Sequence, residues 1–337
     1  MRLVCYRAAL SAEPPAEAAA RDALTYAAWG RALSQAQYLE RERRLWAHPF
    51  SQSGLRRWVL FDGEQPVASC ETYEVQVLVG GDRGRPRTGT AQGVASVFVE
   101  QALRGRGYAR ALLEHLHAVL RQEGAVCAYL ISEIGPALYE RLGYVARPLR
   151  LRRFSAPRPD EPEPGLEAVV WLRSEQIGPL LDLRYAGLPR SPLTLRLSPA
   201  QIGWHHERAR FYAEVLGRPV PQVVGAACGP AFALWQHDLV AGLLRVLCLY
   251  PGPTLWAQGT QVDPRHPEAQ ALRNVLHGAR AEAAAAGLGG VEIWQNPLMG
   301  WLRGGQEVPA ADLPMMLPLA PGVRADDWLD WERGHWL

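Results

Sequence analysis

Apolar positions alternate, or recur at helical spacing, along the first 155 residues, and they predict a series of short strands and helices. Ser34 is the predicted N-cap of one helix, which ends before Pro49. The predicted strands cover residues 3–6, 58–61, 66–79, 93–99, 126–131 and 144–154. The predicted helices cover residues 17–29, 34–47 and 136–142, and a further amphipathic helix starts directly after Gly107.

The second half of the chain repeats this pattern more weakly. Strand patterns cover residues 231–235, 241–250, 254–262 and 291–294, and a helical pattern covers residues 267–286. The strand-helix-strand order therefore recurs, but the turn before the helix, residues 263–267, contains two prolines and no glycine. We interpret this part as a degenerate copy of the first half in which the glycine loop before the helix is replaced by a proline-containing turn.

Residues 156–165 separate the halves, because they are rich in proline and charge and offer almost nothing to bury. A chain of 337 residues exceeds one ordinary hydrophobic core. We therefore expect one domain over residues 1–155, a linker over 156–165 and a second domain over 166–337.

Composition limits the possible classes of protein. A content of 48% hydrophobic and 21% charged residues is typical of a soluble globular protein, and a net charge of +2 argues against a nucleic-acid partner. The five cysteines form no C-x-x-C pair and predict free thiols in a reducing cytoplasm. No apolar run approaches 18 residues, so we expect no membrane partner. The adjacent pair His205 and His206 has poor spacing for a metal, and none is expected.

The most informative segment joins the strand that ends at Val97, Phe98 and Val99 to the helix that follows. The loop and the first turn of that helix contain Arg104, Gly105, Arg106, Gly107, Tyr108 and Ala109. The two glycines permit a tight turn and a close backbone approach, and the unpaired N–H groups of the helix point into the loop. This combination favours a phosphate or pyrophosphate ligand. The alternative is an ordinary strand-to-helix turn that happens to contain glycines.

The segment from Arg104 to Ala109 resembles the R/Q-x-x-G-x-G/A signature of the GNAT N-acetyltransferases. About 30 residues later, the segment from Tyr139 to Tyr144 is similar to the Y-x-x-x-G-F/Y segment of the same family. Residues 68–73, 95–98 and 132–135 also resemble the fungal lysine N6-acetyltransferases, although Glu133 stands where that group has Asp. The resemblance implies an α/β fold with a mixed sheet, that is, a GNAT fold followed by a second, degenerate GNAT-like domain.

The same resemblance implies acetyl-CoA as the co-substrate and assigns roles to the loop and its strand. Backbone groups of Phe98 and Val99, after Val97, would pair with the pantetheine arm, and an amide near Val99 would polarise the thioester carbonyl. The N–H groups from Arg104 to Ala109 would hold the pyrophosphate, with added charge from Arg104 or Arg106.

Tyr139 matches the general acid of the family, because a phenol is protonated at neutral pH and can protonate the departing thiolate. Its alternative role is that of an aromatic anchor for a short helix. Period-two alternation places Glu71 on the apolar face of its strand, where burial would raise its pKa toward that of a general base. The alternatives for Glu71 are a structural ion pair with arginine or binding of the substrate ammonium. Glu133 is a second candidate for base or amine recognition, and a water-mediated proton transfer is a third route.

These observations predict a cytoplasmic N-acetyltransferase for a small-molecule amine, with the ε-amine of free lysine as the first candidate. The alternatives are another amine (an aminoglycoside, a polyamine or a peptide terminus) and a non-catalytic module that binds acetyl-CoA. A homo-oligomer is compatible with the sequence. The aromatic tail, residues 328–337, is expected to pack on its own domain, and the alternative is that the Leu337 carboxylate reaches the active site.

Overall fold

The structure is a computed structural model that describes residues 1–11, 13–80, 86–158, 161, 163–186, 192–258 and 263–336. The strands are β1 Arg2–Arg7, β2 Arg56–Asp62, β3 Gln65–Val79, β4 Arg87–Phe98, β5 Cys127–Ser132, β6 Val145–Ala146, β7 Arg150–Ser155, β8 Val170–Leu172, β9 Leu193–Leu195, β10 Gly225–Cys228, β11 Ala231–Asp238, β12 Leu243–Tyr250, β13 Gly290–Gln295, β14 Gln306–Val308 and β15 Leu313–Pro318. The helices are α1 Ala16–Trp29, α2 Gln35–Ala47, α3 Pro49–Gly54, α4 Tyr108–Gln122, α5 Ala137–Glu140, α6 Ile177–Ala186, α7 Pro199–Val215, α8 Pro253–Gln258 and α9 Pro267–Ala285.

The strands form two mixed sheets of similar design. The first has the order β1-β2-β3-β4-β5-β15-β6 with β9 paired to β3, and the second has the order β14-β7-β13-β12-β11-β10-β8. Among the described strands, each sheet contains one parallel pair, β4 with β5 in the first and β12 with β13 in the second. A parallel pair needs a crossover connection, which α4 and α9 supply. The predicted mixed α/β fold and its repeated strand-helix-strand unit are confirmed.

The two sheets exchange strands across the predicted linker. Strand β7 precedes residue 156 in the chain but pairs with β13 and β14 in the second sheet. Strands β9 and β15 follow residue 165 but pair with β3 and β5 in the first sheet. The division at residues 156–165 stays a prediction about the sequence, since the hydrogen-bonded sheets cross it in both directions.

The three largest hydrophobic clusters of the described residues hold the layers together. The predicted stripe on α4 is buried against the first sheet, with Leu112, Leu113 and Leu116 fully covered. Helix α9 packs in the same way against β11, β12 and β13. A third cluster of large aromatic side chains lies between the sheets and contains Tyr73, Tyr129, Trp294, Trp328 and Trp331.

The predicted start and end of helix α2 are confirmed. The Ser34 hydroxyl accepts a hydrogen bond from the Gln37 N–H at 3.2 Å, and the Gln37 side chain accepts from the Ser34 N–H at 2.8 Å. This is a reciprocal capping box, as the N-cap prediction requires. Helix α2 ends at Ala47, and Pro49 begins α3.

Two strand predictions were wrong. Residues 144–154 form two strands rather than one, because Pro148 has no N–H to donate and β6 and β7 join different sheets. The segment predicted as a strand over 254–262 begins instead as helix α8, and residues 259–262 lie outside the described ranges. The Glu268 carboxylate accepts hydrogen bonds from the N–H groups of Thr254 and Leu255, which satisfies the first turn of α8.

Candidate active site

A groove opens in the first sheet where β4 and β5 separate. Their parallel pairing covers only three residue pairs and ends at Gly93 opposite Tyr129, although β4 continues to Phe98 and β5 to Ser132. Beyond Gly93, the edge of β4 that faces β5 has no strand partner among the described residues. An unpaired strand edge offers N–H and C=O groups to an extended ligand.

A bulge in β4 accompanies this separation. Opposite Ser69 and Glu71, which are two residues apart on β3, lie Phe98 and Ala95, which are three apart on β4. Ser96 sits inside the extra step with a φ of 53°, a left-handed conformation that is rare for a residue with a side chain. Such a bulge bends the strand and increases its twist, so it favours the divergence of β4 from β5.

The glycine loop closes one end of the groove. Gly105 and Gly107 have φ values of 79° and 83°, and no atom lies within 4 Å of the position where a Cβ would sit on either residue. Gly107 is also the N-cap of α4 and has no side chain to cap it. The loop therefore presents the N-terminus of a 15-residue helix to open space, as a phosphate site requires.

Groove and loop belong to one cavity of about 1410 Å³ that lies between the two halves of the chain. Its lining includes Val97, Phe98, Val99, Arg104, Gly105, Gly107, Tyr108 and Ala109. Arg106 is the one residue of the predicted cofactor set that does not line it. The second half contributes side chains from α7, from the end of β11, from β12 and β13, and from the tail.

Tyr139 lines this cavity from α5. It is largely buried among the apolar side chains that pack between α4 and the first sheet. Its ring makes an edge contact with Tyr144 at a centroid distance of 5.8 Å. Burial raises the pKa of Tyr139 to about 12, with smaller contributions from Cys70 and Glu133. The phenol is therefore fully protonated at neutral pH, as a proton donor must be. The structure thus places the predicted acid beside the groove, and its role stays a prediction.

Glu71 also lines the cavity, but its carboxylate is already paired. Its Oε1 accepts hydrogen bonds from Arg57 at 2.8 Å and from Arg21 at 3.2 Å. Desolvation would raise the pKa of Glu71, but the two guanidinium groups outweigh it and lower the pKa to about 2. A carboxylate with so low a pKa is a weak base. The pairing favours the alternative of a structural ion pair, and the base role stays a prediction.

The sequence reasoning missed the buried charge network that fixes Glu71. Arg57 also donates to Asp22 at 2.7 Å, and Arg21 donates to the carbonyl oxygen of Ser96 at 3.1 Å. The network thus connects α1, β2 and β3 to the bulge of β4. These arginines and Asp22 lie in segments whose patterns are typical of ordinary amphipathic helices and strands, so the patterns give no sign of a charge network. A charge at a buried strand position, as at Arg57 within the run 56–62, is the signal that could have revealed them.

Glu133 lies at the C-terminal end of β5, exposed and on the cavity lining. The turn that holds it is fixed by the Ser132 hydroxyl, which donates to the Gly135 carbonyl oxygen at 2.6 Å and accepts from the Ile134 N–H. Within the described part of the chain, the Glu133 carboxylate has no ion-pair partner. It is thus available for a proton or an ammonium, and its predicted role stays open to test.

The aromatic tail packs on the second sheet, as expected, where the Glu332 carboxylate accepts a hydrogen bond from the Leu249 N–H, and it also contacts the first sheet. The Tyr73 hydroxyl of the first sheet donates to the His335 carbonyl oxygen at 3.0 Å. Trp336 lines the cavity and stacks on Trp294 at a centroid distance of 6.0 Å. Leu337, whose carboxylate was the alternative, lies outside the described residues.

The remaining chemistry is simple. All five cysteines are free, as predicted. His205 is buried and His206 is half-buried. Their rings form separate hydrogen bonds, His205 with the Gly334 carbonyl oxygen and His206 with the Trp235 carbonyl oxygen. Across the described residues, no group of three or more His, Cys, Asp or Glu side chains is arranged to hold a metal ion. No helix in the same ranges has an apolar stretch long enough to cross a bilayer.

Comparison with known proteins agrees with this geometry. Residues 17–146 match the family model described as an acetyltransferase (GNAT) domain, and residues 198–307 match the LYC1 GNAT-like C-terminal domain. A protein named lysine acetyltransferase from Yarrowia lipolytica is 23% identical over 274 residues, which cover 65% of this chain and 69% of that protein.

Solved structures share the two-unit fold. A GCN5-related N-acetyltransferase from Kribbella flavida aligns with a TM-score of 0.58 and 19% identity, over 94% of this chain and 70% of that one. A GCN5-related N-acetyltransferase from Anabaena variabilis aligns with a TM-score of 0.52 and 13% identity, over 95% of this chain and 73% of that one. The chain belongs to the GNAT acetyltransferases, acyltransferases that depend on acetyl-CoA, with a GNAT domain in its first half and a GNAT-like domain in its second.

Proposed function

We propose that this enzyme transfers the acetyl group of acetyl-CoA to the ε-amine of free lysine or of a related small amine. One observation carries the proposal: a single cavity joins the glycine loop, the unpaired edge of β4, the phenol of Tyr139 and acidic side chains from both halves. The distant similarity to a protein named lysine acetyltransferase supports the same acceptor.

The first half has the features that acetyl-CoA requires. The space above Gly105 and Gly107 and the free N–H groups at the start of α4 fit the pyrophosphate. The open edge of β4 through Phe98 fits the amides of the pantetheine arm, which would extend the sheet. The Arg104 Nε already donates to the Val99 carbonyl oxygen at 3.1 Å, so this arginine braces the loop against the strand.

The reaction moves one acetyl group and two protons. The unprotonated amine nitrogen attacks the thioester carbon, the carbon–sulfur bond breaks, and the sulfur leaves with the electron pair. Tyr139 gives its proton to that sulfur and regains one from solvent, and the nitrogen loses its extra proton to a base. Glu133, with its free carboxylate at the cavity wall, is the better placed of the two predicted bases, because Glu71 is held by two arginines.

The acceptor side of the cavity suits an amine. The Glu133 carboxylate lines it without an ion-pair partner in the described residues, whereas Asp238 and Asp312 line it paired with Arg245 and Arg333. Indole rings line it on Trp204 and Trp336. Carboxylates and aromatic faces both attract an ammonium group, so a small cationic amine is drawn to this part of the cavity before it loses its proton.

The acceptor is tested with a panel of amines in an assay for free coenzyme A thiol. Lysine, 1,5-diaminopentane, spermidine, an aminoglycoside and a short peptide are each offered with acetyl-CoA. We expect lysine to give the highest kcat/KM. Turnover of another amine together with no lysine turnover above thioester hydrolysis would show that the lysine assignment is wrong.

The role of Tyr139 is tested by Tyr139→Phe. Loss of a general acid lowers turnover by about 10²-fold to 10⁴-fold, while acetyl-CoA affinity is expected to stay within a factor of two or so, because the ring remains. Tyr144→Phe is the matched control: its hydroxyl contacts His117 at 3.0 Å and does not line the cavity. Equal turnover in the two variants would mean that the proton comes from elsewhere, or that the chain only binds acetyl-CoA.

A further inference from the structure

Helix α7 contributes one continuous stripe of side chains to the cavity. Trp204, Arg208 and Tyr212 follow one another at intervals of four residues, which places them on one face of the helix, and all three line the cavity. This stripe comes from the second half of the chain. It therefore faces a ligand whose acetyl-CoA half is held by the first sheet.

Arg208 differs from the other arginines that line the interior of this cavity. Arg41 pairs with Glu42, and Arg245 pairs with Asp238 and Glu292 at 2.7 and 2.6 Å. Arg333 pairs with Asp312 at 3.4 Å. The Arg208 guanidinium makes neither a hydrogen bond nor an ion pair within the described part of the chain.

No carboxylate of the described residues pairs with the positive charge of Arg208. The Arg208 side chain is half-buried; its partial desolvation lowers its pKa, and the positive charge of Arg41 lowers the pKa further. Asp238 and Glu42 act in the opposite direction, but neither comes within the 4.0 Å of an ion pair, and both are engaged by other arginines. A partly desolvated guanidinium in this position gains most from an anion that the protein itself does not supply.

We propose that Arg208 binds a carboxylate of the acceptor, so that the acceptor class is a small amine that also carries a carboxylate. The planar guanidinium offers paired N–H donors that match the two oxygens of a carboxylate. Trp204 and Tyr212 flank Arg208 on the stripe, so the aliphatic chain that leads from the carboxylate to the amine packs against one of these two rings. This inference rests on the proposed function, because it assigns one end of a molecule whose other end is the acetylated amine.

Lysine and 1,5-diaminopentane provide the test, since they differ only in the carboxylate. In Arg208→Met, we expect kcat/KM for lysine to fall by about 10-fold to 100-fold, mainly through KM, because a charged hydrogen-bond pair is lost. The same variant should leave kcat/KM for 1,5-diaminopentane within about twofold. Arg208→Lys, which keeps the charge but not the paired donors, should give an intermediate loss for lysine.

Arg210→Met is the matched control, because Arg210 is exposed on the same helix and does not line the cavity. This variant should leave kcat/KM unchanged for both lysine and 1,5-diaminopentane. Thermal unfolding separates a binding role from a structural one: loss of an unpaired, partly desolvated cation should not lower Tm, whereas loss of a structural arginine would. A lowered Tm with equal losses on both amines would overturn the proposal.

Calorimetric titration of lysine into the protein in the presence of free coenzyme A keeps the inference distinct from the proposed function. Lysine binding that requires Arg208 but is followed by no acetylation would overturn the proposed function and support the carboxylate site. Lysine acetylation that Arg208→Met reduces no more than Arg210→Met would overturn the carboxylate site and leave the proposed function intact. The absence of both lysine binding and lysine acetylation would overturn both.

Discussion

The two crossover units, β4-α4-β5 and β12-α9-β13, have the same connectivity but different openings. In each unit the parallel pairing covers three residue pairs, and the strands then diverge. In the first unit, the divergence exposes the edge of β4 to the cavity, and the turn into α4 contains Gly105 and Gly107.

In the second unit, the corresponding edge of β12 is covered by the chain's own tail. The Leu249 N–H donates to the Glu332 carboxylate at 3.0 Å, and Arg184 pairs with the same oxygen at 2.9 Å. A Cβ on Gly334 would lie 2.8 Å from the Leu247 carbonyl oxygen, so the tail backbone lies directly against the strand. The fold alone therefore creates a groove, and what fills the groove decides whether a unit can bind a ligand.

The largest effect is expected from breaking the tail contact with Glu332→Ala. This change leaves Arg184 buried without its carboxylate and the Leu249 N–H without its acceptor, and it should lower the free energy of unfolding by about 3–5 kcal/mol. Urea denaturation measures the loss. Glu114→Ala, which removes an exposed pair on α4, should cost less than about 0.5 kcal/mol. Similar small losses in both variants would mean that the tail does not seal the second groove.

The open groove is tested by Gly107→Ala. A Cβ there occupies the space above the loop, and loss of two charge-assisted hydrogen bonds of about 1.5 kcal/mol each would weaken acetyl-CoA binding by about 100-fold. Gly124→Ala, at the other end of α4, places alanine at a similar φ of 78° with open space around it and should leave binding unchanged. Titration of acetyl-CoA into both variants measures their affinities. Equal affinities would mean that the pyrophosphate does not bind at the glycine loop.

A smaller effect is expected from the pH dependence of the sealed groove. The Nδ1 of His335 accepts from the Glu332 N–H at 3.2 Å, and burial, reinforced by Arg184, lowers the pKa of His335 to about 3. The unfolded chain, with a histidine pKa of about 6.5, binds the proton first, so stability present above pH 6.5 is lost as the pH falls toward 3. Between pH 6.5 and 5 this one group should remove about 2 kcal/mol.

The measurement is the slope of the unfolding free energy against pH in that window. His335→Gln should reduce the mean slope in that window by about 1 kcal/mol per pH unit, whereas His115→Gln, on the exposed face of α4, should not. Burial raises the pKa of Asp330 to about 7, and this acts in the opposite sense, but it is common to all three proteins and cancels from the comparison. Identical slopes in the two variants would contradict a neutral His335 in the sealed groove.

Much of the first half could be predicted because its signals are local. The capping box at Ser34, the alternation over β3, the apolar stripe of α4 and the glycine loop each depend on residues close together in sequence. The repeat in the second half was visible for the same reason. The exchange of β7 and β15 between the sheets was not, since a strand pattern states that a strand exists but not which edge it joins.

The candidate site residues also fall into two groups, those indicated by local sequence and those that depend on long-range contacts. Sequence alone predicted the glycine loop, Tyr139 and the groove strand as site candidates, because backbone conformation and motif spacing depend on residues close together in the chain. Only the tertiary structure decided that Glu71 is ion-paired with Arg21 and Arg57, that the tail seals the second groove, and that Arg208 faces the cavity with no partner among the described residues. The physical reason is that the charge state of a side chain depends on its partners and its burial, and both are set by residues far away in the sequence.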